Sequence, residues 1–337
     1  MVFVTGGTGL VGSHIICQLL KKGHSVKALC RRKSDKTWFE KTAKFLLKGQ
    51  TKELLENVNW VQGDLFEIGL LSEYIEGCTQ VYHCAALVSF AKKDQSALYE
   101  TNVIGTANLL NVCLSMVSKP AVCFISSTAS IGGVDKKIID ETFEYSSENA
   151  GSYYSQTKFL AEMEAFRARE EGLDVAILNP CVVLGFSNWH TGSSRLFKNY
   201  NNGFPFYTSG SNAFVDARDV ADCAILLMEN RIFDNRYLCI GWNKTYKEVF
   251  DAIAQNFGMK KPSIRVNRLM AEIAWRLAGV ASLLGIGGTI TKETARSGMK
   301  NRNYSSQKLI EATGFNFRNF EESIAEICST YKDVEAI

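Results

Sequence analysis

The amino-acid sequence predicts an α/β protein: a doubly wound parallel sheet with a smaller, mostly helical C-terminal substrate lobe. Two observations carry that expectation. Apolar strand-like runs alternate with helix-like segments from residue 2 to about 184, the order that builds parallel β-α-β units. From Ser187 the alternation gives way to a segment crowded with Trp189, Phe197, Tyr200, Phe204, Phe206, Tyr207 and Phe214 and broken by Gly203, Pro205 and Gly210. The division expected is residues 1–186 and 214–241 for the sheet domain, with 187–213 and 242–337 for the lobe.

The first strand is Val2 to Thr5, followed at once by Gly6, Gly7, Gly9 and Gly12 and then by Val11, Ile15 and Leu19 at helical spacing. In that context the glycines permit a tight turn and let the backbone approach a pyrophosphate. The new helix, opening at Leu10 and Val11, directs free amides and its positive dipole end at the anion. Strand, glycine loop and helix together read as a dinucleotide site of the Rossmann type. Lys21, Lys22 and Gly23 close that helix, and Val26, Ala28 and Cys30 alternate as the second strand. Arg31, Arg32, Lys33 and Ser34 stand at its end, where an acidic residue would accept from an adenosine ribose. Arginines instead suit the 2′-phosphate of NADP(H), which is favoured over NAD(H); a solvated basic loop running to Lys52 is the plainer alternative.

Trp60 to Gly63 reads as the third strand, with Asp64 and Leu65 placed to border an adenine. Val81 to Ala86 is the fourth, and its small final residues, Ala85 and Ala86, leave room for a cofactor; His83 there is expected to be structural. Asn102, Gly105, Thr106 and Asn108 open or line the next helix. Val122 to Ile125 is the fifth strand, ending in Ser126, Ser127 and Thr128. Hydroxyls at the carboxyl end of a strand lie where α/β sheets bind ligands, so one of them could donate to a substrate oxygen; capping is the other use.

After an irregular acidic stretch through Glu148 comes Tyr154-Ser-Gln-Thr-Lys158. A tyrosine and a lysine four apart share one helix face, and a nearby ammonium favours a phenolate. The pair is therefore a candidate acid/base unit, with the tyrosine pKa expected to be lowered from its usual value of about 10. Val175 to Leu178 is the sixth strand, ending at Asn179-Pro180. Phe214 to Val220 is expected to return to the sheet and lead into a helix from Ala221 to Met228, with a strand from Arg236 to Ile240; beyond Trp242 the chain reads as mostly helical.

Composition bounds the partners. A net charge of +3 over 337 residues points to neither nucleic acid nor an anionic membrane surface, leaving small molecules. Ten cysteines lie without Cys-x-x-Cys spacing, and Cys30, Cys84, Cys123 and Cys181 fall in or beside apolar runs; reduced thiols and a cytoplasmic location are expected. His14, His24, His83 and His190 have no ligand spacing, so no metal site is expected. The chain opens on its first strand, leaving no room for a signal peptide, and Glu272 and Arg276 make residues 269–286 an amphipathic helix rather than a span. A homodimer is left open.

Thr5-Gly6-Gly7-Thr8-Gly9-Leu10-Val11-Gly12, Asp64-Leu65, Ala85-Ala86 and Tyr154 to Lys158 follow one another as in the extended short-chain dehydrogenases/reductases, which the chain resembles over essentially its full length. Asn179-Pro180 with Val183-Leu184-Gly185, Val215 to Asp222, and Tyr304 to Lys308 before Gly314-Phe315 are most similar to the dihydroflavonol 4-reductase branch. The resemblance implies that Tyr154 is the acid/base, that Lys158 holds the nicotinamide ribose and lowers the tyrosine pKa, and that Ser127 binds the carbonyl. It implies further that Asn102 supports the site, that Pro180 to Val183 present amides to the nicotinamide, and that residues 87 to 99 form one wall of the substrate site. Val88, Phe90, Thr128 and Trp189 join Ser127 as candidate substrate contacts.

Two departures stand out: Ile131 precedes Gly132 where the family often has tyrosine, and Asn212-Ala213 replace an arginine that grips the diphosphate in nucleotide-sugar epimerases. Both favour a less charged substrate. The expected activity is NADPH-dependent reduction of a ketone or aldehyde on an apolar or aromatic molecule. A nucleotide-sugar epimerase or dehydratase is the runner-up, and a redox-sensing protein without turnover would not need the complete Ser127, Tyr154 and Lys158 set.

Overall fold

The computed structural model describes residues 1–132, 138–143, 145, 151–283 and 298–335. Strand β1 (Val2–Thr5) is buried along its whole length and turns through the glycines into α1 (Leu10–Lys21) and β2 (Val26–Cys30). Helices α2 (Thr37–Leu47) and α3 (Thr51–Leu55) lead to β3 (Val58–Gln62), and α4 (Ile68–Ile75) leads to β4 (Gln80–His83). Then come α5 (Gln95–Tyr99), α6 (Gly105–Ser115), β5 (Ala121–Ile125), α7 (Tyr153–Glu170) and β6 (Val175–Pro180). The second half of the chain contains β7 (Val182–Leu184), α8 (Arg195–Asn201), β8 (Phe206–Tyr207), β9 (Ser211–Asp216), α9 (Ala217–Glu229) and β10 (Arg236–Cys239). It closes with β11 (Trp242–Thr245), α10 (Tyr246–Asn256), β12 (Ile264–Arg265), α11 (Arg268–Leu283), α12 (Gln307–Thr313) and α13 (Phe320–Glu335).

A seven-stranded sheet in the order β10-β6-β5-β4-β1-β2-β3, parallel throughout, forms the centre. Strands covered by helices on both faces are apolar at consecutive positions, as Val2-Phe3-Val4 and Val122-Cys123-Phe124 are. Val2, Val4, Cys123 and Ile125 join one core with α1 and α9, while Phe3, Val122 and Phe124 join the other with α6 and α7. Strand order reverses between β1 and β4, which opens a ligand crevice at the carboxyl ends of those strands. Helix α7 buries Ala161, Ala165 and Ala168 completely; methyl groups there let it lie close to the sheet.

The expected return of Phe214 to the sheet is not what the chain does. Strand β9 pairs in parallel with β7 and antiparallel with β11 in a separate three-stranded sheet, and only the helix after it, beginning at Ala217, comes back to pack on α1. Gln18 of α1 donates to Asp222 of α9 at that contact. A departure at Gly185 allows this: a Cβ there would lie 2.7 Å from that of Ala217. The region beyond Trp242 also contains β11 and β12 besides its helices, and residues 284–297 of it lie outside the described residues.

The lobe has its own core of Phe186, Trp189, Phe197, Tyr200, Phe214, Phe250 and Ile324. Tyr331 of α13 fastens it: its hydroxyl donates to the Ser187 carbonyl at 2.9 Å and accepts from the Ser187 amide at 3.1 Å, while its ring stacks on Trp189 at 5.0 Å. No helix among the described residues is long and apolar enough to cross a membrane.

Candidate active site

The glycine loop is built for close backbone approach. Gly6 has φ +68°, and a Cβ on it would fall 2.7 Å from the Ala85 amide; a Cβ on Gly12 would fall 2.3 Å from the Gly6 carbonyl oxygen. Gly9 caps α1 without a side-chain hydrogen bond, so the first-turn amides at Leu10 and Val11 are not taken by a cap. A pyrophosphate fits this cradle, where the helix dipole favours it. Thr5 Oγ1 accepts from the Ala85 amide at 3.2 Å and so ties β1 to the end of β4, beyond which Ala86 is exposed.

Leu65 is buried against the start of α6, where Gly105 leaves room for it and Asn108 donates to its carbonyl at 3.1 Å. Its neighbour Asp64 is half-buried. Arg31 and Arg32 are exposed at the carboxyl end of β2, and Lys36 lies 4.9 Å from the Trp60 ring. Pro180 is buried at the end of β6, with Val183 half-buried in β7.

His83 is structural, as expected. Thr106 Oγ1 donates to the Asn102 carbonyl at 2.6 Å, so at its 2.9 Å contact with His83 Nε2 the imidazole must donate. That leaves Nδ1 to accept from the Thr5 hydroxyl at 2.7 Å. Burial pulls the imidazole down to about 3, so it stays neutral.

Ser127 leaves β5 as the cap of a short 3-10 turn, its Oγ accepting from the Ala129 amide at 3.1 Å; Thr128, the next residue, is buried. Tyr154 sits in the first turn of α7, which Ser152 caps by accepting from Ser155 N at 3.0 Å. Lys158 follows one turn later, 2 % exposed, with Nζ donating to the Ile125 carbonyl at 3.0 Å and lying 4.7 Å over the Phe124 ring. These elements bring Ser127, Tyr154 and Lys158 together at the carboxyl end of β5, the end where the sequence placed the hydroxyls.

The electrostatics differ from expectation. Burial pushes the Tyr154 phenol up to about 12, opposed by its hydrogen bond with Ser127, rather than down. Lys158 is itself pulled down to about 8 by burial, with Glu162 and Cys84 opposing. The ammonium is anchored to a strand carbonyl, so desolvation of the phenol is the larger effect on it.

Asn102 lies in a π-helical turn (Glu100–Ile104) and is fully buried. Its Oδ1 accepts from the Leu87 amide at 2.7 Å, while Nδ2 donates to the Leu87 carbonyl at 3.0 Å and to Thr157 Oγ1 at 3.1 Å. One side chain thereby pins the loop after β4 to the helix that carries Tyr154 and Lys158. Such π-turns recur at functional sites.

A cleft of about 180 Å³ opens beside Tyr154 between that loop and α7, lined by Phe90, Ala91, Leu98 and Tyr153 with the polar Ser89, Lys92 and Gln95. The Phe90 ring meets Tyr154 edge-on, 5.8 Å between centroids, and Val88 is exposed on the same loop. Trp189 is a correction: it is 5 % exposed, stacked on Tyr331 in the lobe core, where an apolar ring gains more from packing than from lining a cleft.

Two residues escaped the sequence reading. Glu162, fully buried on α7, accepts at Oε2 from Ser126 Oγ (2.5 Å), Ser130 Oγ (2.7 Å) and Asn179 Nδ2 (2.6 Å), and at Oε1 from Arg236 (3.0 Å). Its signal was available, a carboxylate one helical turn beyond Lys158. Arg302, whose amide donates to the Ser211 carbonyl at 3.2 Å, sits one position from Asn212, where the sequence lacks an arginine; only the fold brings it there.

The glycine cradle and the Ser127, Tyr154 and Lys158 set define an NAD(P)-dependent enzyme of the extended short-chain dehydrogenase/reductase type. Residues 2–241 match the model of the NAD dependent epimerase/dehydratase family, and the chain belongs to that family. It is 28% identical over 336 residues to the "Putative dihydroflavonol 4-reductase" of Synechocystis sp., covering 96% of this chain and 92% of that one. It is 29% identical over 256 residues to cinnamoyl-CoA reductase 1 of Petunia hybrida, covering 71% and 72%. Among solved structures, that of gox2253 superposes with a TM-score of 0.79 at 25% identity over 99% of this chain and 98% of the other.

Proposed function

We propose that the protein reduces a ketone or aldehyde on an apolar or aromatic small molecule, with NADPH as the favoured reductant. The observation that carries this reading is the Phe90 ring held edge-on to Tyr154 in the wall of the cleft beside it. The Phe90, Ala91 and Leu98 side of that wall suits a ring or alkyl chain, while Ser89, Lys92 and Gln95 can meet a polar substituent. The likeness to a cinnamoyl-CoA reductase and to a protein carrying a dihydroflavonol 4-reductase name supports reductase chemistry.

NADPH held by the glycine cradle would supply a hydride to the carbonyl carbon. Ser127 donates a hydrogen bond to the carbonyl oxygen and Tyr154 passes that oxygen its phenolic proton, so the product is an alcohol. The Lys158 ammonium stabilises the phenolate left behind and donates to the nicotinamide ribose. Asn102 keeps the substrate wall in register with α7, and Arg31 with Arg32 supply the charge that favours the 2′-phosphate.

Arg302 beside Asn212 favours a second reading, nucleotide-sugar epimerisation or dehydration, because it offers the lobe a cation. Comparing NADPH oxidation by aromatic and aliphatic ketones and aldehydes with thermal stabilisation by UDP, GDP and dTDP sugars separates the two. A ligand at a hundred times its Kd adds about 2.7 kcal/mol, a readable shift. Carbonyl-dependent NADPH oxidation with no shift from the sugars is expected; a rise with one nucleotide sugar together with its conversion overturns the reductase reading.

A further inference from the structure

Tyr154, Lys158 and Glu162 succeed one another at four-residue intervals, so they lie along one face of α7. Phenol and ammonium have direct work in the reaction proposed above, while the carboxylate touches neither the cleft nor the glycine cradle. A buried ion pair is poor evidence of stability, since desolvation offsets much of its attraction and apolar side chains of similar volume often serve as well. Its place among these partners needs another reason.

The partners supply one. Ser126 and Ser130, both donors to Glu162, bracket Ser127 in sequence. Asn179, a third donor, also has its Nδ2 3.2 Å from the Ser127 carbonyl and 3.0 Å from Ser130 Oγ, its two hydrogens shared among these acceptors and Glu162. The backbone that presents the Ser127 hydroxyl is thus held by groups that converge on a single carboxylate. On its other oxygen Arg236 arrives from β10, itself fixed by the carbonyls of Glu141 and Phe143.

Lys158 needs a counter-charge. Its recorded hydrogen-bond partner is the Ile125 carbonyl, and a buried ammonium without a nearby negative charge tends to lose its proton. The titratable groups around it are His83 and Cys84 at the end of β4, Tyr154 and Glu162 on α7, and Arg236 with Glu141 and Lys308 on the far side of Glu162. Burial keeps His83, Cys84 and Tyr154 neutral, at about 3, 12 and 12. Glu162 is then the nearby negative charge available to Lys158.

We propose that Glu162 is a positioning residue of the active site, whose buried carboxylate keeps Lys158 protonated and fixes the Ser127 turn through Ser126, Ser130 and Asn179. The inference rests on the reading that Ser127 and Lys158 serve the reaction, yet its electrostatic half can be measured without a substrate.

The test follows the ε-carbon signal of Lys158 by NMR in protein labelled with [6-¹³C]lysine, assigned with Lys158→Arg. Wild type should titrate near pH 8, and Glu162→Gln about one unit or more lower. Should the unpaired Arg236 prevent Glu162→Gln from folding, Glu162→Gln/Arg236→Met is compared with Arg236→Met, so that only the carboxylate differs. Ser126→Ala/Ser130→Ala keeps the carboxylate, so its Lys158 titration should stay at the wild-type position while kcat drops at least tenfold. An unmoved Lys158 titration in a folded variant lacking Glu162 overturns the proposal, as does full kcat in the double serine variant. Failure to find any reducible carbonyl would instead count against the proposed reaction, leaving the NMR result standing.

Discussion

Lys158 reaches back to the carbonyl of Ile125 at 3.0 Å, so its ammonium is anchored by the strand that runs into the Ser127 turn. Strand β5 therefore leads into the Ser127 turn and also fixes the Lys158 ammonium that α7 carries one turn beyond Tyr154.

Burial of that ammonium gives the reaction a pH limit. Tyr154 stays protonated throughout the working range, whereas Lys158 loses its proton near pH 8, and the charged form is the useful one. The kcat/KM for NADPH, which reports the free enzyme, should fall tenfold per unit above about pH 8. Bound phosphates favour the ammonium, so the corresponding limb in kcat should lie higher. A free-enzyme profile flat to pH 10 would contradict the assignment.

Tyr154→Phe removes a proton donor and leaves the ring that packs on Phe90. Turnover should drop by about 10²-fold or more, with NADPH affinity within about threefold of wild type. Isothermal titration and stopped-flow reduction separate the two effects; near-normal turnover would remove Tyr154 from the proton transfer.

Arg31 and Arg32 are expected to set cofactor choice. Replacing both with alanine should cost about 1.5–3 kcal/mol of NADP(H) binding for a lost charge-assisted contact and leave NAD(H) binding almost unchanged. Equal affinity of the wild type for both cofactors would refute the preference.

Asn102→Ala should strip the half-buried Leu87 amide and carbonyl of their side-chain partner and take one donor from the Thr157 hydroxyl, at a cost of about 1–3 kcal/mol in unfolding free energy. The loop after β4 then loosens, so KM for the carbonyl substrate should rise more than KM for NADPH. Chemical denaturation and steady-state kinetics check the two halves.

Much of this site was legible because its signals are local. Gly6 to Gly12 and Tyr154 to Lys158 each span a single turn or loop, and spacing alone fixes which side chains face one way. Trp189 was misplaced because its ring is claimed by Tyr331, 142 positions further on in a helix whose docking no local pattern announces. Strand β9 was assigned to the wrong sheet for a related reason: an apolar run shows that a strand is buried, not which neighbours it joins. Glu162 is the intermediate case, since its spacing from Lys158 was in view while Ser126, Asn179 and Arg236 were not yet beside it. The tyrosine pKa had the wrong sign because one neighbouring charge was weighed without the burial around it.

Tyr331, which clasps Ser187 and covers Phe186 and Trp189, belongs to α13, far along the chain from the residues it holds. The sheet that carries the glycine loop and most of the active site is translated much earlier, and domains generally fold as units in order of synthesis. During translation the nucleotide half can thus stand assembled while the lobe waits, its aromatic side chains open to water. That interval leaves open to water the apolar surface that the finished lobe buries, which is the condition that favours aggregation.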